Sequence, residues 1–159
     1  VVFDDVQYVH LRRVSADQFL RQNDVLICMA SGSRELVGKA GRFSADDGFS
    51  YTFGAFMGCF RPDHNVADPD FAFYLFQTAE YRTHIAVLLA GSSINNLTPA
   101  SVEAFAIGAP SDKGEQRAIA VVLAEMDSEI AALGEELAKA RQVKQGMMQE
   151  LLTGRIRLV

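Results

Sequence analysis

The chain has 159 residues, of which 49% are hydrophobic and 22% are charged, so it can bury a core. Its formal net charge of −5 argues against a protein that coats nucleic acid non-specifically, because such chains are basic. No apolar run is long enough to span a bilayer, and no signal peptide is apparent. We therefore expect a cytoplasmic protein with no membrane partner, whose Cys28 and Cys59 are buried and reduced.

The first sixty residues carry signals for turns and short strands. Asn23-Asp24 predicts a turn, and residues 25–29 predict a short buried strand. A polar loop over residues 30–35 and a return strand over residues 36–41 follow. Residues 49–60 are rich in aromatic and β-forming residues with interspersed glycine, which predicts one or two bent strands.

The next segment predicts helix. Asp68-Pro69 is typical of a helix start, with aspartate as the N-cap and proline at the first helical position. Apolar residues at helical spacing continue to Leu89, and Gly91 is a plausible stop. A break near Thr78-Ala79 would divide the segment into two short helices.

Thr98-Pro99 repeats the cap-and-proline signal and predicts a short helical turn, while residues 104–107 predict a strand ending before Pro110. This order of elements predicts an α+β fold: a globule with a mixed sheet and short helices, followed by one long helix. We assign residues 1–110 to the globule and residues 111–159 to the helix.

The long helix is the clearest element. Ten positions alternate in steps of four and three, which is the pattern of a coiled coil. We call these positions the seam: Ile119, Leu123, Met126, Ile130, Leu133, Leu137, Ala140, Lys144, Met147 and Leu151. The helix is expected over residues 116–152, roughly 55 Å at about 1.5 Å per residue, with a stop at Thr153-Gly154.

Only Lys144 interrupts the apolar line of the seam, and a charged residue at such a position often fixes register. Gly134 and Gly146 each weaken the helix by about 1 kcal/mol. A globule of this size is too small to cover the whole seam, so a partner helix is expected. The alternative is one amphipathic helix lying on its own globule.

The residues offer no catalytic constellation, so we expect a binding protein that is not an enzyme and holds no cofactor or metal. Residues 32–40 resemble a phosphate-binding loop, but the glycines are one residue too far apart, and Ala40 stands where a hydroxyl is needed. The histidines His10, His64 and His84 are scattered and form no metal-ligand spacing with the cysteines.

Two polar loops, residues 31–39 and 91–96, could contact DNA. Arginine can bond a guanine edge through two donors, asparagine can do the same with adenine, and small hydroxyl residues can contact phosphates. The alternative is that these are ordinary turns rich in Ser, Gly and Asn. The candidate DNA-binding residues are Arg12, Arg13, Ser31, Gly32, Ser33, Arg34, Lys39, Ser92, Ser93, Asn95 and Asn96.

Several segments, in this order, resemble the specificity subunit of type I restriction–modification systems, from about Asp24 to the end. Asn23-Asp24-Val25-Leu26-Ile27 resembles the family's strand G-D-[IV]-L-[IL], with Asn23 where glycine is usual. Residues 144–157, at the end of the helix, resemble the family's pattern K-x-G-L-[LM]-Q-x-L-[LF]-[TS]-G-[KR]-[IV]-R. The other matching segments are residues 31–33, 37–39, 68–75, 91–97 and 114–119.

The resemblance implies a non-catalytic subunit whose recognition domain reads one half of a split sequence in double-stranded DNA. It implies that the helix packs antiparallel against a second spacer helix, from the same subunit or from a second copy of the chain. Methyltransferase and restriction subunits would be the protein partners, and S-adenosylmethionine, ATP and Mg²⁺ would belong to those subunits. Two other classes stay open: a coiled-coil adaptor without nucleic-acid binding, and a small enzyme whose site is not evident.

Overall fold

A computed structural model describes residues 6–91 and 94–158. The chain divides into two compact units, Val1–Arg117 and Ala118–Val159, and the boundary falls inside the long helix. The α+β class is confirmed: a small sheet and short helices precede one long helix. Two short 3-10 turns, Leu11–Arg13 and Ala16–Gln18, come before the sheet.

The sheet has three strands, β1 (Val25–Cys28), β2 (Ala40–Arg42) and β3 (Met57–Phe60), in the order β2-β1-β3. Leu26 pairs with Gly41 on one side and with Cys59 on the other, and both pairings are antiparallel, where a mixed sheet was expected. A parallel pair needs a long crossover, usually a helix, and no helix separates these strands.

Three strand predictions need correction. The return strand begins at Ala40, because residues 34–38 form turns before it. Residues 49–56 are not strand, so residues 49–60 supply only β3. The strand expected over residues 104–107 is wrong: no ladder forms there, and Phe105 instead packs its ring against Tyr81 at 5.2 Å between centroids.

Each of the three short helices begins directly after an N-cap residue. The structure has α1 (Pro69–Leu75), α2 (Ala79–Ala90) and α3 (Pro99–Glu103). Of the two alternatives left open for the segment, one helix or two with a break near Thr78, the structure has the second. Asp68 accepts hydrogen bonds from the backbone N–H groups of Asp70 and Phe71, and Thr78 accepts one from Tyr81. Gly91 ends α2 as predicted.

Helix α4 (Lys113–Leu152) has 40 residues and begins three residues earlier than expected, because Asp112 caps it by accepting from the N–H groups of Gly114 and Glu115. The predicted stop at Gly154 is confirmed. Gly154 has a φ of +72°, and the Arg155 and Gly154 N–H groups bond back to the carbonyls of Glu150 and Leu151.

The core lies where α2 packs on the sheet. Its fully buried members include Val25, Ile27, Val37, Tyr81 and Ile85. Burial raises the pKa of Tyr81 to about 12, and its hydroxyl has no hydrogen-bond partner among the described residues.

Candidate nucleic-acid interface

The first loop, residues 31–39, rises from the end of β1 and is fixed at its base. The Cys28 N–H donates to the Lys39 carbonyl at 2.9 Å, and the Gly38 N–H donates to the Cys28 carbonyl at 2.8 Å. Val37 is fully buried, whereas residues 32–36 are exposed. The loop therefore presents Gly32, Ser33 and Arg34 to solvent on an anchored base.

Helix α2 supports the loop from the core side. The Arg82 guanidinium donates to the Val37 carbonyl at 3.0 Å and to the Glu35 carbonyl at 3.4 Å. Gly38 has a φ of +79°, and a Cβ there would come within 2.8 Å of the Ile85 side chain. The sequence analysis did not predict that Arg82 supports the loop. The feature that could have indicated it is a charged residue on the apolar stripe of a helix.

The structure brings part of the second loop against the first. Ala30 and Asn96 form an isolated antiparallel bridge, and the Leu97 N–H donates to the Met29 carbonyl at 2.7 Å. The Ser31 N–H donates to the Asn95 carbonyl at 3.4 Å, and the Asn95 amide donates to the Gly32 carbonyl at 3.5 Å. Of the predicted residues in the second loop, Ser92 and Ser93 lie outside the described residues.

Between the two loops lies an open groove of about 480 Å³. Its lining mixes hydroxyl, amide and apolar side chains. The lining residues are Ala30, Ser31, Gly32, Phe56, Ile94, Asn95 and Asn96. Phe56 is 70% exposed and Ile94 is 63% exposed. The sequence reasoning missed both: the signal for Phe56 was an aromatic residue after Gly54-Ala55 in a segment assigned wholly to strand.

The arginine and lysine residues predicted to bind DNA lie at different places in the structure. Arg34 is exposed, and its guanidinium donates to the Ala86 carbonyl of α2 at 3.3 Å. Lys39 is exposed at the far end of the same loop. Arg12 and Arg13 lie on the Leu11–Arg13 turn, which His10 caps, and none of the hydrogen bonds among the described residues joins them to either loop.

A buried ion pair fixes the strands beneath the first loop. Asp24, just before β1, is 1% exposed, and the Arg61 guanidinium bonds both of its carboxylate oxygens at 2.7 Å. Burial raises the pKa of Asp24, but the hydrogen bonds from Arg61 and from the Arg21 backbone lower it further, so it lies below its usual value. Burial and the neighbouring Asp24 carboxylate raise the pKa of Cys59 to about 11.

The start of α4 is also tied to the globule. Gln116 is 4% exposed, its side-chain oxygen accepts from the Asp68 N–H at 2.8 Å, and its amide donates to the Pro110 carbonyl at 2.7 Å. Arg117 approaches the Asp68 carboxylate at 3.4 Å. One glutamine thus satisfies two backbone groups that would otherwise lack a partner.

The side chains of the α4 seam are largely exposed. Met126, Ile130, Leu133 and Leu137 are 50–67% exposed, and Met147 is 45% exposed. Leu123 and Leu151 are half-buried, and Lys144 is exposed. A stripe this long, exposed over more than twenty residues, is typical of a helix that binds a partner.

Neither a metal site nor a membrane span is evident in the described ranges. Residues 6–91 and 94–158 contain no cluster of three or more His, Cys, Asp or Glu side chains that could hold a metal ion. No helix in that part of the chain has the length and apolar character needed to cross a membrane.

Comparison with known proteins gives consistent matches. The family model for the type I restriction modification DNA specificity domain matches residues 15–141 of the chain. The chain is 32% identical over 154 residues to the StySPI type I restriction enzyme specificity subunit of Salmonella potsdam, covering 94% of this chain and 32% of that protein. It is 30% identical over 156 residues to the EcoKI specificity subunit of Escherichia coli (strain K12), covering 96% and 33%. The chain therefore spans about a third of the length of these curated relatives.

Proposed function

Because the chain belongs to the family of type I restriction modification DNA specificity domains, we propose that it reads one half of a bipartite sequence in double-stranded DNA. The observation that carries the proposal is the groove. Two polar loops separated by about fifty residues meet through the Ala30–Asn96 bridge, and Ser31 and Gly32 of the first loop line one groove with Ile94, Asn95 and Asn96 of the second. The reading head would be residues 1–110 and the spacer residues 111–159.

The groove has the mixture of groups that base edges require. The Asn95 and Asn96 amides of the groove can each donate to and accept from an adenine edge. Arg34 lies on the first loop outside the groove lining, and an exposed arginine there can donate twice to guanine. The exposed Phe56 and Ile94 side chains suit the thymine methyl group, which is the apolar feature of the major groove. This combination supports base reading rather than contact with phosphates alone.

Lys39, Arg12 and Arg13 would instead bind phosphates, as would the hydroxyls of Ser31, Ser33, Ser92 and Ser93. The chain as a whole is acidic, so phosphate contact must come from such local cations rather than from a general positive field. Contacts of this kind position a protein on the duplex without selecting a sequence.

Helix α4 would separate two reading heads. At about 1.5 Å per residue its 40 residues extend roughly 60 Å, comparable to the axial length of about one and three-quarter turns of duplex. Its seam would pack antiparallel against a like helix, either within a longer subunit or from a second copy. Methyltransferase and restriction subunits would dock on this assembly and would supply S-adenosylmethionine, ATP and Mg²⁺, so the chain itself would be non-catalytic.

The test begins with methylation sequencing of the host genome, which reports the recognised bases. Duplexes with and without that target are then titrated with the chain at several salt concentrations. We expect Arg34→Ala to weaken target binding by roughly 1–3 kcal/mol while changing random-duplex binding little. Arg12→Ala should weaken both duplexes and reduce the salt slope by about 1. Arg157→Ala, an exposed arginine beyond α4, is the matched control and should change neither.

If Arg34→Ala alters neither affinity nor base preference, the assignment of the first loop is wrong. A second function, a coiled-coil adaptor without DNA binding, is favoured by one observation, the exposed seam. The same titration separates the two, because an adaptor would show no salt-dependent association with either duplex.

A further inference from the structure

The globule has a second cavity that shares no lining residue with the groove between the two loops. Its volume is about 590 Å³, within the range of about 300–1,000 Å³ that is usual for small-molecule sites. Its lining consists of residues 6–9 and of Asp47 with residues 49–54. The proposal of DNA reading therefore gives this cavity no role.

Two residues of the lining are fixed to the rest of the globule. The Tyr51 carbonyl accepts from the Leu20 N–H at 2.9 Å, and the Thr52 hydroxyl donates to the Gln18 carbonyl at 3.0 Å. The Tyr51 ring packs edge-on against the ring of buried Phe43, with 5.5 Å between the centroids. This part of the cavity is therefore in place before a ligand binds, which lowers the entropic cost of binding.

The lining is rich in aromatic side chains. Tyr8, Phe49, Tyr51 and Phe53 all contribute to it. Tyr8 is 93% exposed and Phe49 is 72% exposed, so a ligand can reach their rings. The face of an aromatic ring carries partial negative charge, and it attracts ammonium and guanidinium groups.

Among the described lining residues, Asp47 is the only charged one. Its carboxylate accepts from the Tyr51 hydroxyl at 2.6 Å and from the Phe49 N–H at 3.1 Å. These two bonds hold the pKa of Asp47 below its ordinary value, so the cavity carries a negative charge at neutral pH. Donation of the Tyr51 proton to a carboxylate also makes that ring more electron-rich, which strengthens its attraction for a cation.

Other classes of ligand fit this lining less well. An anion such as phosphate would meet the Asp47 carboxylate and no lysine, arginine or histidine in the described part of the lining. A metal ion such as Ca²⁺ takes about 6–8 oxygen ligands, whereas the same residues offer one carboxylate. An organic cation uses both the aromatic rings and the charge.

We propose that this cavity binds an organic cation, an alkylammonium or guanidinium group, through its aromatic rings and the Asp47 carboxylate. The proposal goes beyond DNA reading and does not depend on it. The same chemistry is carried by a free polyamine and by a lysine or arginine side chain of another protein, and the experiment distinguishes these two sources.

Binding is measured by NMR of the tyrosine rings in the full chain. The chain has four tyrosines and no tryptophan, and Tyr8 and Tyr51 line the cavity, whereas Tyr74 and Tyr81 do not. The probes are spermidine and a tripeptide with blocked ends and a central arginine; the uncharged control has glutamine in place of that arginine. We expect millimolar spermidine or arginine peptide to shift the Tyr8 and Tyr51 signals, and the glutamine peptide to shift neither. The tighter of the two charged probes identifies the source.

Substitutions then separate the charge from the rings. Asp47→Asn keeps an oxygen that can accept from Tyr51, and it should weaken binding of the charged probes on the order of three- to thirtyfold. The matched control is Asp46→Asn, an exposed carboxylate outside the lining, which should change the affinity less than about twofold. Phe49→Leu should also weaken binding on the order of threefold or more, whereas Phe49→Tyr keeps an aromatic ring and should retain it.

Three results would overturn the proposal: no shift of the Tyr8 and Tyr51 signals with either charged probe, equal shifts with the glutamine peptide, or equal effects of Asp46→Asn and Asp47→Asn. The last would show that only the general acidity of the chain attracts the probes. These outcomes are separate from those of the DNA titration. A chain that reads its target but binds neither probe keeps the proposed function and loses this inference, and a chain that binds a probe here but no DNA does the reverse.

Discussion

The Asp24–Arg61 pair should contribute more to stability than any exposed ion pair in the globule. Asp24 is buried, so replacing Arg61 with methionine leaves a carboxylate with one backbone donor, from Arg21, and poor access to water. Breaking a buried pair typically costs about 3–5 kcal/mol. Because the Arg61 side chain is 32% exposed, water can partly replace it, and we expect a loss of about 2–3 kcal/mol.

The assay is urea unfolding at pH 7 and a fixed protein concentration, where a loss of this size shifts the midpoint by roughly 1 M. The matched control is Arg42→Met, because Arg42 pairs with Asp70 and both side chains are more than a third exposed. That control should lose no more than about 1 kcal/mol. Equal losses in the two variants would refute the argument from burial.

The same pair predicts a pH dependence. The pKa of Asp24 is lower in the folded chain than its ordinary value of 3.8, so its contribution is present above that value. The contribution is lost as the pH falls through the folded pKa. Without Arg61, burial raises the pKa of Asp24, so the variant takes up a proton at a higher pH than the native chain does. The difference in unfolding free energy between the native chain and Arg61→Met should therefore be largest near pH 7 and shrink as the pH falls.

Three further substitutions test other contacts by the same urea assay. Gln116→Ala should lower the free energy of unfolding by about 1–3 kcal/mol, because the Asp68 N–H and the Pro110 carbonyl lose their hydrogen-bond partner. The control is Gln142→Ala, at an exposed position of α4. Equal effects of the two substitutions would contradict the role of Gln116. Gly38→Ala should cost more than about 1 kcal/mol, because it combines a positive φ with a clash against Ile85, whereas Gly32→Ala has open space and should change stability little. Tyr81→Phe should leave stability unchanged or raise it slightly, because the buried hydroxyl has no partner among the described residues; a loss above about 1 kcal/mol would show that the hydroxyl is bonded.

The parts of the fold that were predicted from sequence depend on local chemistry. The predicted N-caps Asp68 and Thr98 each accept a hydrogen bond from a residue three positions along, so the signal and its effect lie in the same short segment. The glycine stops of α2 and α4 are equally local. The heptad pattern of α4 needed only its own spacing, and the structure confirms the helix.

The errors arose where distant packing decides. Residues 104–107 have strand-like composition, yet they form no ladder because the Phe105 ring instead packs against Tyr81. Residues 36–39 also have strand-like composition, but they form a turn at Gly38 that contacts α2, and β2 begins only at Ala40. Propensity alone could not anticipate either contact.

For the same reason, the candidate site could be predicted from the sequence only in part. Both loops were recognisable from small and polar residues, but their meeting depends on the bridge between Ala30 and Asn96, which the chain between them determines. Phe56 enters the groove only because its carbonyl accepts from the Met29 and Ala30 N–H groups, which brings its segment beside the first loop. No local pattern around Phe56 contains that information.

The base and the tip of the first loop are held by different contacts. Val37 is buried, Gly38 fits against Ile85, and Arg82 bonds the loop carbonyls, so the base depends on core contacts. Ser33, by contrast, is exposed, and its N–H donates to the hydroxyl of Ser31. Substitution at such a tip residue leaves the core contacts intact and should change stability by less than about 0.5 kcal/mol. If the loop reads DNA as proposed, its specificity can therefore change by substitution at the tip without loss of the fold, whereas substitution at the base would impair both.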